Sequence, residues 1–107
     1  MKGQVVAEVS IVPIGTADTG ISRYVAASLE VLEAKKELSY RLTPMGTVIE
    51  GPLVKVLEAI LDMHEVPFSK GAKRVVTSIK IDDRRDKTAT MNSKLESVRK
   101  LRPSIKT

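Results

Sequence analysis

Residues 4–12, QVVAEVSIV, alternate with a period of two over nine positions, and that alternation restricts the fold more than any other stretch of the chain. Val5, Ala7, Val9 and Ile11 make a wholly apolar face, whereas Val6, Glu8, Ser10 and Val12 make a mixed one. A strand of this kind belongs in a sheet covered on one side. Near the other end, residues 73–82, KRVVTSIKID, repeat the pattern. There Val75, Thr77, Ile79 and Ile81 stand against Val76, Ser78, Lys80 and Asp82.

Between these strands the period changes. After Pro13, which is expected to end the first strand, a loop from Gly15 to Gly20 carries Thr16, Asp18 and Thr19. Ile21, Tyr24, Val25, Ser28, Leu29 and Leu32 then form a helical stripe over about 21–36, with Thr19 and Ser22 both eligible as N-cap. A second helix, about 52–69, starts at Pro52 and sets Leu53, Val56, Leu57, Ile60 and Leu61 on one side. His64 falls at the edge of that stripe as a boundary or capping group, Pro67 is placed to kink or shorten the helix, and Lys70-Gly71 closes it.

Tyr40 to Gly51, YRLTPMGTVIEG, reads as a hairpin. Pro44 interrupts any ladder and Gly46 is expected to permit the reversal. Thr43, Thr47 and Glu50 should then lie close together, a set suited to holding a small polar ligand. Past residue 82 a charged turn, DDRRDK when Asp82 is included, leads to an amphipathic helix from about Thr90 carrying Met91, Leu95, Val98 and Leu101. Ser93 and Glu96 there have capping-box spacing, and Pro103 lies just past the end.

The order βαββαβ predicts one α+β domain over 1–107. It has a ferredoxin-like four-stranded antiparallel sheet, both helices on one face, and an added C-terminal helix. The first and last strands of the repeat become central neighbours, bringing Glu8 and Ser10 near Ser78 and Lys80 on the open face. Val6, Val12 and Val76 share that face, so a partner chain is expected to cover part of it.

Charge sharpens this picture. The net charge is +5, but residues 1–83 carry 10 basic against 11 acidic groups, and residues 84–107 carry 8 against 2. The surplus belongs to the basic C-terminal turn and helix, read as a solvated face. With two Tyr, one Phe and no Trp there is little on which bases stack, which argues against single-strand RNA recognition. No cysteine and one histidine leave neither thiolate chemistry nor a zinc set, so no metal and no cofactor are expected. Asp82 and Asp83 have Arg84 and Arg85 beside them as competitors for any cation. Gly46 to Gly51 has the glycine spacing of a phosphate loop, but Pro52 and Leu53 stand where Lys and Ser or Thr are needed. No nucleophile–base–acid set is visible, so an enzyme is not expected. Nor is there a leader or an apolar run of spanning length, which points to the cytoplasm.

Three blocks, AEVSIVPIGT at 7–16, YRLTPMGTVIEG at 40–51 and GAKRVVTSIKIDDRRDK at 71–87, together resemble a family of small thiamine-binding proteins, formerly the uncharacterised UPF0045 or DUF77 group. The resemblance spans nearly the whole chain. It implies a ferredoxin-like fold, dimers that pair into a homotetramer, and non-catalytic binding of thiamine or its hydroxymethylpyrimidine portion, as carrier, buffer or sensor. It also implies a pocket against the open sheet face near subunit contacts. Carried onto these blocks, Glu8 or Glu50 would meet the aminopyrimidine. Ser10, Thr43, Thr47 and Ser78 would supply hydrogen bonds, with Met45 and Gly46 as an apolar wall. The competing expectation is a structural or regulatory module whose open face only builds the oligomer, with Lys80 or Arg41 pairing Glu8.

Overall fold

The computed structural model describes residues 4–17, 19–87 and 89–107; the expectation for Asp18 lies outside them. Its elements are β1 (Gln4–Ile14), α1 (Ser22–Glu33), β2 (Ser39–Thr43), β3 (Gly46–Pro52), α2 (Leu53–Ser69), β4 (Arg74–Asp82) and α3 (Met91–Leu101). The four strands form one antiparallel sheet in the order β2-β3-β1-β4. This is the expected βαββαβ plan with a third helix added.

β1 runs two residues further than expected, through Pro13 to Ile14. Its pairing with β3 ends at Val9, whereas its pairing with β4 continues to Ile14. Proline removes a donor, but on the β3 side there is no ladder left to interrupt at Pro13. The apolar face of β1 does meet the core. Val5, Ala7 and Val9 pack with Ile49 of β3, Leu32 of α1 and Leu38 ahead of β2, under Val56, Ala59, Ile60 and Met63 of α2.

The buried stripe of α2 differs from the expected one. Val56, Ala59, Ile60, Met63 and Pro67 point inward, and Leu57 and Leu61 are exposed. Small Ala59 lets the helix axis approach the sheet, which turns the larger leucines outward. Pro67 does not end α2, because it sits in the last turn and Ser69 still follows it within the helix. Gly71 then takes a left-handed φ of 99°, and the Gly71 and Ala72 amides donate to Phe68 and Pro67. For α1, the position before the helix is Ile21, with no side-chain cap, so neither Thr19 nor Ser22 performs that role.

α3 is capped one turn earlier than expected. Thr90 Oγ1 accepts from the Ser93 amide at 3.0 Å while Ser93 Oγ accepts from the Thr90 amide at 2.8 Å. The helix is pinned at this end. The Met91 amide donates to Glu50 Oε2 at 2.8 Å, Arg41 donates to Asn92 at 3.0 Å, and Lys94 pairs with Asp82. Glu50 lies on the open face, so its carboxylate meets the positive end of the α3 dipole there. In the turn before α3, Arg84 forks onto Asp86 and Arg85 onto Asp83. The hydrogen bond from Arg84 holds the Asp86 carboxyl at about 2.

Candidate ligand-binding site

The β2–β3 hairpin closes in an uncommon way. Pro44 and Met45 fill the two loop positions, and no residue other than glycine has positive φ among the described residues, so the primed turns favoured by two-residue hairpins are not used. The Thr43 side chain does the closing instead. Its Oγ1 donates to the Gly46 carbonyl at 2.8 Å and accepts from the Gly46 amide at 3.1 Å. Gly46 is needed for space and not for reversal. Its φ is not positive, and a Cβ there would lie 3.0 Å from the Val9 carbonyl oxygen and 3.5 Å from Glu8 Cγ.

Behind this turn, on the helix-covered side, is a cavity of about 650 Å³. The hairpin residues Leu42 to Thr47 form one wall, residues 9–12 of β1 the back, Ile21 with Ser22, Val25, Ala26, Ser28 and Leu29 of α1 the opposite wall, and Met63 of α2 contributes from the core. None of these residues is charged. Five carry hydroxyls: Ser10, Ser22, Ser28, Thr43 and Thr47. Thr47 is 5% exposed and Ser28 is buried, whereas Met45 stands at the turn 85% exposed. An apolar slot with a few placed hydroxyls suits a flat, neutral heterocycle.

Five of the residues singled out in the sequence therefore come together here: Ser10, Thr43, Met45, Gly46 and Thr47. The other three do not line the cavity. Glu8 lies on the open face just across the hairpin end, its Cγ beside Gly46 and its Oε1 4.0 Å from Lys80 Nζ. Ser78 is directly opposite Ser10 in the β1–β4 register, exposed on the open face. Glu50 is on that face too, occupied by the Met91 amide, and this corrects the expected cluster of Thr43, Thr47 and Glu50. Residues 47 and 50 differ by an odd number along one strand and so point to opposite faces. Ser22, Ser28, Val25 and Met63 are cavity residues that strand patterns did not bring forward; helical spacing marked Ser28 and Val25 only as core positions, and Ser22 was marked only as an N-cap candidate.

Two further features lie outside the cavity. His64 Nδ1 is 2.6 Å from Thr77 Oγ1 and its ring meets Phe68 edge-on at 5.6 Å, so it is a boundary group tying α2 to β4. A second, more polar hollow near the β1–α1 loop has Arg23, Lys70 and Lys73 among its walls. There Arg23 stacks on Tyr24, and Lys70 follows the carboxyl end of α2, whose dipole favours cations.

The sequence model of a family described as thiamine-binding protein matches residues 7–99. The chain belongs to the thiamine-binding protein family. It is 50% identical over 98 residues to the UPF0045 protein YqgV of Bacillus subtilis, covering 89% of this chain and 94% of that protein. Against the UPF0045 protein in the glkA 3′ region of Staphylococcus xylosus the identity is 43%, over 89% and 92%. The crystal structure of the hypothetical protein MJ1052 from Methanocaldococcus jannaschii superimposes with a TM-score of 0.81, at 40% identity over 90% of this chain and 96% of that one. Membership in the thiamine-binding protein family agrees with the fold found here, and among the described residues no helix is long and apolar enough to cross a membrane.

Proposed function

We propose that this chain binds thiamine, or its hydroxymethylpyrimidine portion, in the cavity behind the β2–β3 turn, as a non-catalytic carrier, buffer or sensor in the cytoplasm. The observation that carries the reading is an uncharged, hydroxyl-bearing cavity of about 650 Å³ in a chain of the thiamine-binding protein family. The pyrimidine ring fits the apolar slot, with Thr47 as a hydrogen-bonding partner, Ser10 at the back of the slot and Met45 across the mouth. Thr43 acts indirectly, holding the turn that forms the wall. Glu8 stands at the hairpin end as the nearby acceptor for an amino group or a counter-charge for the thiazolium.

The assembly in this reading is a homo-oligomer, dimer or tetramer, with subunits meeting over the open face. Val12 and Val76 are exposed there beside Glu8 and Ser78, a mixture that a second chain covers better than water does. No metal, cofactor or nucleic acid enters the proposal.

Calorimetric titration with thiamine, hydroxymethylpyrimidine and the thiazole half, with native mass measured on the same sample, tests it. Saturable binding of the first two and not of the third is the expected result. Flat titrations of an intact oligomer would leave a structural or regulatory assembly module instead.

A further inference from the structure

The β1–α1 loop and the α2–β4 loop meet around the second hollow, whose volume is about 390 Å³. Residues 15–17, Arg23 with Tyr24, and residues 70–73 line it. Three of these, Arg23, Lys70 and Lys73, are cations, and no acid among the described residues stands with them. Residues 1–83 hold 10 basic groups against 11 acidic ones, so three basic groups around one hollow are a local excess. Among the described residues none of the three takes part in an ion pair. Asp18, in the first of these loops, lies outside the described residues.

The ordinary duty of a lysine after a helix is to serve the last carbonyls, but here those are already taken. Ser69 Oγ donates to the Val66 carbonyl, the Lys70 and Ala72 amides to that of Pro67, and the Gly71 amide to that of Phe68. Arg23 is held in place from below. Its guanidinium carbon lies 5.0 Å from the centre of the Tyr24 ring, Nη2 donates to Tyr24 Oη at 3.1 Å, and Tyr24 itself is buried. A fixed guanidinium with one donor spent keeps the rest of its fork for a ligand. α1 adds a field of the same sign. Ile21 at its N-cap position gives no side-chain cap, and its first turn carries no acid, so the positive end of its dipole is uncompensated beside Arg23.

We propose that this hollow binds a phosphate dianion, free or as the end group of a phosphate monoester. The Arg23 fork takes two of its oxygens, and Lys70 and Lys73 meet its charge from the α2–β4 loop. A planar carboxylate brings one charge and two oxygens, too little for three cations, whereas a tetrahedral dianion engages all three. The bound anion also offsets their mutual repulsion. The hollow shares no residue with the cavity behind the hairpin. α1 turns Ser22 and Val25 to the cavity and Arg23 and Tyr24 to the hollow, so the two sites flank different sides of one helix. The phosphate site therefore stands whatever the cavity binds.

Titrating inorganic phosphate into the isotope-labelled protein tests it, at a pH where phosphate is doubly charged and with chloride holding the ionic strength constant. Amide NMR shifts at residues 15–17, 23–24 and 70–73 are expected to saturate together. Lys73 is exposed, so Lys73→Gln leaves the packing undisturbed and should raise the phosphate Kd roughly tenfold. Arg23→Gln should raise it at least as much, and Lys100→Gln, on α3, should leave it unchanged. A parallel titration with glycerol 3-phosphate separates the two sources. Tighter binding than inorganic phosphate assigns the site to an ester, and weaker binding assigns it to the free ion. Shifts that never saturate with either probe would overturn the proposal. So would an equal loss in Lys100→Gln, which would mean diffuse attraction to a positive surface.

Discussion

The two faces of the sheet are built from interleaved residues and obey different rules. On the covered face, Val5, Ala7, Val9 and Ile49 are sealed under α1 and α2, and a neutral cavity with hydroxyls opens at the hairpin end. On the open face the same strands carry Glu8, Ser10, Glu50, Ser78 and Lys80, where Glu8 pairs with Lys80 and Glu50 takes the amide at the N-terminus of α3. A single step along β3, from Ile49 to Glu50, moves from a residue with no exposure to one that anchors a helix. Polarity in this molecule is thus placed in two ways: hydroxyls in the covered layer line the cavity, and charges on the open face provide attachment.

The largest test of that contrast compares neighbours. Ile49→Ala should lower stability by about 2–5 kcal/mol, the cost of a cavity under a buried side chain, while Val48→Ala should cost under about 1 kcal/mol. Urea midpoints of the two variants, with unchanged m-values, measure the difference; equal losses would break the distinction between the faces. Gly51→Ala should come next. A Cβ there would sit 2.5 Å from Leu38 Cδ2, inside the core, so about 1–3 kcal/mol is expected from overpacking in the same assay.

A smaller effect separates recognition from attachment. Thr47→Val should weaken thiamine or hydroxymethylpyrimidine binding roughly tenfold, the loss of about one hydrogen bond, and leave the native mass unchanged. Glu50→Ala should do the reverse. The Met91 amide loses its charged acceptor, so hydrogen exchange at the start of α3 should quicken roughly tenfold while ligand affinity stays within error. If Glu50→Ala abolished binding with α3 still docked, the division of labour would fail.

The smallest effect concerns pH. Asp86 is held at about 2 by its hydrogen bonds from Arg84, and Asp83 lies below its ordinary value because of Arg85. A carboxyl whose folded value is depressed favours the folded state above its unfolded value near 4, and that contribution disappears as pH falls through the folded value. Both groups are solvent-exposed and remote from the cavity. NMR titration should therefore place the Asp86 midpoint near 2, with thiamine affinity unaffected by Asp86→Asn.

The fold was legible because periodicity is local. The alternation in 4–12 and 73–82, and the helical stripes between, contain the element order and most of the core. The site was only half legible. Ser10, Thr43, Met45, Gly46 and Thr47 stand out near turn signals, but the wall they face comes from α1, and nothing in the sequence places α1 over that end of the hairpin. Glu50 was misplaced for a simpler reason. Its parity relative to Thr47 already put it on the other face, and its partner, the Met91 amide, lies 41 residues away. The α2 stripe was off by a rotation because Leu57 and Leu61 outrank Ala59 in hydrophobicity, while close packing on a sheet prefers the smaller side chain.

The central claim is that the ligand sits in the helix-side cavity and not on the open face. Titrating thiamine calorimetrically into the parent protein and into Val25→Trp, which fills the cavity from α1, tests it most directly. Loss of saturable binding in Val25→Trp, with cooperative unfolding and native mass retained, is the predicted result. Unchanged affinity in a folded Val25→Trp protein would place the ligand elsewhere and contradict the account.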